Sequence, residues 1–103
     1  MVEENKFIVK ERDSPHGVVL IITDSNIRGK KFENETLQLD LSKEFYKGTE
    51  MTKEEIAKKI NKSYILHLTG ENTINLIREL KVVNEIKIIT IEKVPHAEIY
   101  LGS

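Results

Sequence analysis

Cysteine is absent from all 103 residues, and that one absence removes disulfides, thiolate metal centres and a thiol nucleophile together. Zinc-finger and zinc-ribbon readings go with it. A surplus of charge is also missing: sixteen Lys and Arg face seventeen Asp and Glu, so no bulk field draws the chain onto nucleic acid or an anionic membrane. Any contact with a polyanion must then be a local patch, and DNA is not an expected partner. Long apolar runs are lacking too, none approaching the roughly 18 residues that a spanning helix needs. The first residues, Met1 to Lys6, are polar and unlike a signal peptide. The expectation is therefore a cytoplasmic protein with no membrane contact, in which the Asn-x-Ser/Thr matches at Asn34 and Asn61 mean nothing as glycosylation sites. What is plentiful is Ile, Lys and Glu, a composition like that of proteins from hot environments.

This length suits a single domain, residues 1–103. Phe7 and Val9 alternate in a first strand from Lys6 to Glu11, and Asp13-Ser14-Pro15-His16-Gly17 is a turn. Val18 to Ile22 is apolar on both faces, as in a central strand covered from two sides. Leu37-Gln38-Leu39-Asp40-Leu41 alternates with period two, which makes a three-stranded antiparallel meander the simplest N-terminal arrangement. Thr52-Lys53-Glu54-Glu55 fits a capping box, with Met51 and Ile56 as a hydrophobic staple and Ile56, Ala57 and Ile60 on the buried face. A strand at Tyr64–Leu68, a helix opening at Gly70-Glu71 and a strand at Ile86–Ile91 make a βαβ unit, expected to cross over right-handed. After a turn at Glu92–Pro95, Ala97–Leu101 is a last strand, expected near an edge. The fold class is α/β in the α+β mixed sense: one mixed sheet of about five to six strands, the meander followed by α-β-α-β-β with one βαβ crossover.

Residues with chemical potential are scattered. Asp24, Asn26, Gly29 and Glu35 fall at positions 1, 3, 6 and 12 of a calcium loop, but Arg28 stands at position 5 and a strand leads in, so no metal site is expected. Gly29-Lys30 lacks the earlier glycine and the following hydroxyl of a phosphate loop, and no cofactor is expected. Gly70 and Glu71 lie at the C-terminal end of a strand and the start of a helix, where open α/β sheets bind ligands, although Glu71 itself supplies negative charge there. Phe45-Tyr46-Lys47-Gly48 carries two adjacent aromatics, which cannot both point inward from an extended segment; Tyr46 is the candidate contact residue. His96, after Pro95, is the histidine whose setting suits function, but no local spacing supplies its carboxylate or nucleophile partner.

Asp24 with Gly29-Lys30, then Phe45-Tyr46-x-Gly48, Gly70-Glu71 and Val94-Pro95-His96-Ala97, in that order and spacing, resemble an archaeal family known as domain of unknown function 424. The resemblance covers most of the chain. Where that family often carries Asn before the Gly-Glu pair and glycine after the second helix, this chain has His67 and Val82. The resemblance implies a cytosolic archaeal protein, and the proximity of such genes to translation genes implies a role linked to translation or RNA.

The expected function is a non-catalytic binding module for the ribosome, RNA or a protein partner, using Tyr46, Gly48, Gly70, Glu71, His96 and Lys30, with Lys31 and Lys47. The absent catalytic spacing argues against an enzyme. The alternative is a small acid–base or hydrolytic enzyme with His96 as base near Gly70-Glu71. A third reading is a subunit that joins a larger assembly through the sheet edge at Ala97–Leu101.

Overall fold

A computed structural model describes residues 6–101. Its centre is a six-stranded mixed sheet in the order β5 (Thr49–Met51), β1 (Phe7–Ser14), β2 (Gly17–Asp24), β6 (Ser63–Thr69), β8 (Val94–Tyr100), β7 (Ile89–Ile91). Strands β1 (Phe7–Ser14) and β2 (Gly17–Asp24) form an antiparallel hairpin closed by Pro15 and His16. Gly17 is needed at its end: φ is +143°, and a Cβ there would stand 2.9 Å from the Tyr64 Cβ. β2 is covered from both sides, as its unbroken apolar run requires. Leu20 and Ile22 face the two helices, while Ile21 and Thr23 alternate onto the second face.

The period-two segment at Leu37–Leu41 forms a strand, but not in the main sheet. β4 (Gln38–Asp40) pairs with β3 (Lys31–Glu33) in a separate two-stranded ladder. The β1 edge that a meander needs is taken instead by β5 (Thr49–Met51). Alternation fixes that Leu39 and Leu41 share an apolar face, not which sheet receives it. They pack with Ile91, Ile27, Phe32 and Tyr46 as a second, smaller core on the sheet face away from the helices.

Helix α1 (Lys53–Ile60) begins where the capping box lies. The Glu55 N–H donates to Thr52 Oγ1 at 3.4 Å, and the Thr52 N–H donates to Glu55 Oε1 at 3.1 Å. Ile56 and Ile60 are buried against the sheet. The chain then enters β6 (Ser63–Thr69), which runs parallel to β2. Helix α2 (Glu71–Leu80) follows and lays Ile74, Leu76 and Ile77 on the same core.

The crossover from β6 through α2 to β7 (Ile89–Ile91) returns the chain in the β6 direction, yet the two strands are not neighbours. β8 (Val94–Tyr100) lies between them, antiparallel to both. A two-residue turn at Glu92 (φ 48°) and Lys93 (φ 69°) folds it back. β7 covers only Val94–His96, so Ala97–Tyr100 pairs with β6 alone and lies along the sheet edge as expected, with Ala97 and Ile99 buried on the helix-side core. The strand expected from Ile86 narrows to Ile89–Ile91, because Ile86 and Ile88 pack on the helix-side core instead of joining the ladder. Among the described residues no helix is long and apolar enough to cross a membrane.

Candidate functional site

The C-terminal ends of the parallel neighbours β2 and β6 meet the start of α2. Its N-cap is Gly70, which has no side chain to cap with. Asp24, at the end of β2 and only 3% exposed, caps it from across the fold. The Asn72 N–H donates to Asp24 Oδ2 at 2.9 Å, and the Thr73 N–H and hydroxyl both donate to Oδ1 at 2.7 Å. The helix dipole is thus met by a carboxylate of the chain itself. Gly70 makes room for it: a Cβ there would lie 2.2 Å from the Asp24 Cγ, and φ is +109°. Its N–H donates to the Pro95 carbonyl at 2.9 Å, which ties the α2 start to β8. Glu71 is exposed and borders a shallow groove of about 300 Å³ with Arg78, Thr90, Lys93 and Pro95.

His96 follows Pro95 on β8, so the two side chains leave opposite faces of the strand. Pro95 borders the Glu71 groove, whereas His96 Nδ1 is hydrogen-bonded to Thr69 Oγ1 at 2.8 Å. Thr23, Thr69 and His96 are register partners in one row across β2, β6 and β8. Thr23 is 2% exposed, and its hydroxyl has no hydrogen-bond partner among the described residues. In the next row His67 faces Glu98, with His67 Nδ1 3.5 Å from Glu98 Oε2. Burial holds the His67 imidazole below its ordinary pKa, with Glu98 opposing more weakly. Burial also lowers that of His96, helped by the adjacent His67 and opposed by Glu98. Both rings are neutral near pH 7.

Over this face lies the 3-10 turn Glu44–Tyr46. Phe45 meets His67 edge to face, centroids 5.1 Å apart, and meets Tyr46 in the same way at 5.0 Å. The two adjacent aromatics both turn toward the molecule because the segment is a tight turn, not extended. Tyr46 and Gly48, with Lys47, Arg28, Gly29 and Leu41, bound a hollow of about 330 Å³. Lys30 lies beside it, its carbonyl accepting the Leu41 N–H at 2.8 Å. Burial, and secondarily the Asp40 charge, push the Tyr46 phenol above its ordinary pKa, so it is a neutral donor. Gly48 lets this segment cross β1 closely: a Cβ would stand 2.2 Å from the Val9 carbonyl oxygen.

The structure thus brings Tyr46 and Gly48 to one hollow, which Lys30 does not line, and sets His96 in a polar row on the same sheet face. Gly70 and Glu71 fall outside that grouping. Asp24 as the cap of α2 and His67 as a neighbour of His96 are not among the sequence expectations. Polar side chains at Thr23, His67 and Thr69, interrupting otherwise apolar central strands, were the available signal. Among the described residues no three His, Asp or Glu side chains stand together to hold a metal ion.

Residues 11–101 match the model of a family described as "Protein of unknown function (DUF424)". The chain belongs to this family. The DUF424 chain also resembles a solved structure, that of an uncharacterized conserved protein from Methanopyrus kandleri, with a TM-score of 0.75 at 22% identity over 94% of this chain and 92% of that one. At that identity the likeness shows the shared fold. No curated protein matches the sequence.

Proposed function

We propose that this DUF424 protein is a non-catalytic binding module that contacts single-stranded RNA, as found in ribonucleoprotein, at the Tyr46 hollow. One observation carries the reading: an aromatic ring, two glycine backbones and the cations Arg28 and Lys47 border one small concavity. A base stacked on an aromatic ring is recognised through its π-face, and a few cations beside it take phosphates. The balanced net charge fits a contact of this limited size. A ribonucleoprotein role linked to translation follows as the cellular setting.

The test is anisotropy of a labelled single-stranded RNA oligonucleotide at 50 and 200 mM salt. Neutralising two or three phosphates gives a log–log salt slope of about −1.5 to −2. Tyr46→Ala should weaken binding by about tenfold, within the range of one lost stacking contact, while Tyr46→Phe retains it. Arg28→Ala or Lys47→Ala should lower the slope by about 0.7. Absence of RNA binding and of ribosome co-sedimentation at low salt overturns the reading.

A small acid–base enzyme is the second reading, favoured by the neutral His96 bonded to Thr69 beside His67. Glu71, expected near that base, borders a groove on the other side of β8. Loss of any hydrolytic turnover in His96→Gln, with folding retained, is the observation this reading requires.

A further inference from the structure

The segment that borders the proposed RNA hollow rests on histidine. His67 on β6 and His96 on β8 are diagonal neighbours, since His67 pairs with Glu98 and Thr69 pairs with His96. Cross-strand diagonals on one face lie within reach of ring side chains. Phe45 covers His67 edge to face, and Tyr46 packs edge to face on Phe45. Three rings therefore link the imidazole under the turn to the phenol at the hollow. From β1, the Lys10 ammonium donates to the Glu44 carbonyl at 2.7 Å, and the Arg12 guanidinium lies 5.6 Å above the Phe45 ring.

We propose that His67 and His96 form a proton-sensitive latch for the Glu44–Gly48 segment, so that acid releases the turn carrying Tyr46. The idea rests on the reading of the Tyr46 hollow as the binding site. A neutral imidazole sits under an aromatic ring without needing water, whereas an imidazolium at His67, whose side chain is only 19% exposed, loses most of its hydration under Phe45. Lifting the turn supplies it. The groups facing the pair set the balance. Glu98 on β8 favours the charged form of both rings, and His67 disfavours it at His96. Arg12 and Lys10 on β1, on the far side of Phe45, add further positive charge. Ile21, the register partner of His67 on β2, has no charge. Within the covering excursion Tyr46 is neutral and Asp40 stands near Tyr46. Burial outweighs Glu98 at both histidines, so the latch is closed near neutrality and opens as pH falls.

The experiment is an NMR titration of the whole chain from pH 8 to 5, following the histidine rings and the backbone amides. Both rings are expected to titrate below the ordinary value of 6.5. Amides of Phe45 to Gly48 should shift with the His67 midpoint, and their exchange protection should fall by about tenfold while α1 and α2 keep theirs. In His67→Gln the step at Phe45–Gly48 should vanish. Segment amides that ignore pH, a step that survives in His67→Gln, or simultaneous loss of protection in both helices would each overturn the latch. RNA affinity at pH 7.5 and 5.5 gives the second arm. A fall of about threefold or more at the lower pH in the wild type, absent in His67→Gln, supports control of binding. Equal or rising affinity overturns that control. If no RNA binds at either pH, the binding reading fails, and the amide step alone still decides the latch.

Discussion

Asp24 and Gly70 show how much a single pair of residues determines. The carboxylate takes three hydrogen bonds from the first turn of α2, and a glycine opposite is the condition for its fit. Asp24→Ala leaves buried donors unpaired and should cost about 2–4 kcal/mol in urea unfolding, with Asp24→Asn costing less because one acceptor oxygen remains. Gly70→Ala meets both the positive φ and the carboxylate, so it should destabilise by about 2 kcal/mol or more. Since the added methyl competes with the carboxylate for the same space, Asp24→Ala and Gly70→Ala together should cost less than their sum, which a double-mutant cycle measures. Gly48 is the second position of this kind. A methyl at Gly48 collides with the Val9 backbone, so Gly48→Ala should detach β5 from β1, seen as lost exchange protection at Thr49–Met51.

At the scale of elements, the two helices are started in different ways. α1 is capped within its own sequence by Thr52 and Glu55, so Thr52→Ala should cost about 1 kcal/mol, measurable by denaturation. The box was legible from four consecutive letters because all its partners lie within one turn. α2 begins at a glycine and borrows Asp24 from 48 residues away, which no local pattern announces. The same contrast separates the strands. β1, β2 and β6 were readable from apolar alternation or apolar runs, each with a partner close by in space. The partner of β4 was not readable, since period two specifies a face and leaves the sheet open. Nor was the pairing of β7 with the start of β8, which depends on a left-handed turn at two non-glycine residues, Glu92 and Lys93.

For the molecule as a whole, the histidines on the second sheet face make stability depend on pH. In the folded state both pKa values are lowered by burial, so the unfolded chain binds more protons in the acidic range. Their contribution is fully present above the unfolded value of about 6.5 and is lost as pH falls through it toward the lowered folded values. The urea midpoint should therefore drop between about pH 7 and pH 5, and the drop should flatten in His67→Gln and His96→Gln. A midpoint unchanged over that range would contradict the burial of both rings. Of the candidate site, Tyr46 and Gly48 were legible as an aromatic and a turn glycine, and the fold gathers them at one hollow, which Lys30 does not line. His67 was not, because its neighbours Phe45 and His96 come from distant segments.

The sequence by itself determined the class of fold, the first hairpin, the capped helix and the absence of thiol chemistry and of a net charge field. These follow from composition and from interactions that close within a few residues. Only the tertiary structure decided which carboxylate fills the α2 terminus, where the Leu39 strand packs, that β7 folds back onto the start of β8, and that His67, diagonal to His96, lies beneath the turn bearing Tyr46. Those outcomes depend on which faces and edges remain free once the central strands have paired, and that competition is settled only when the whole chain is assembled.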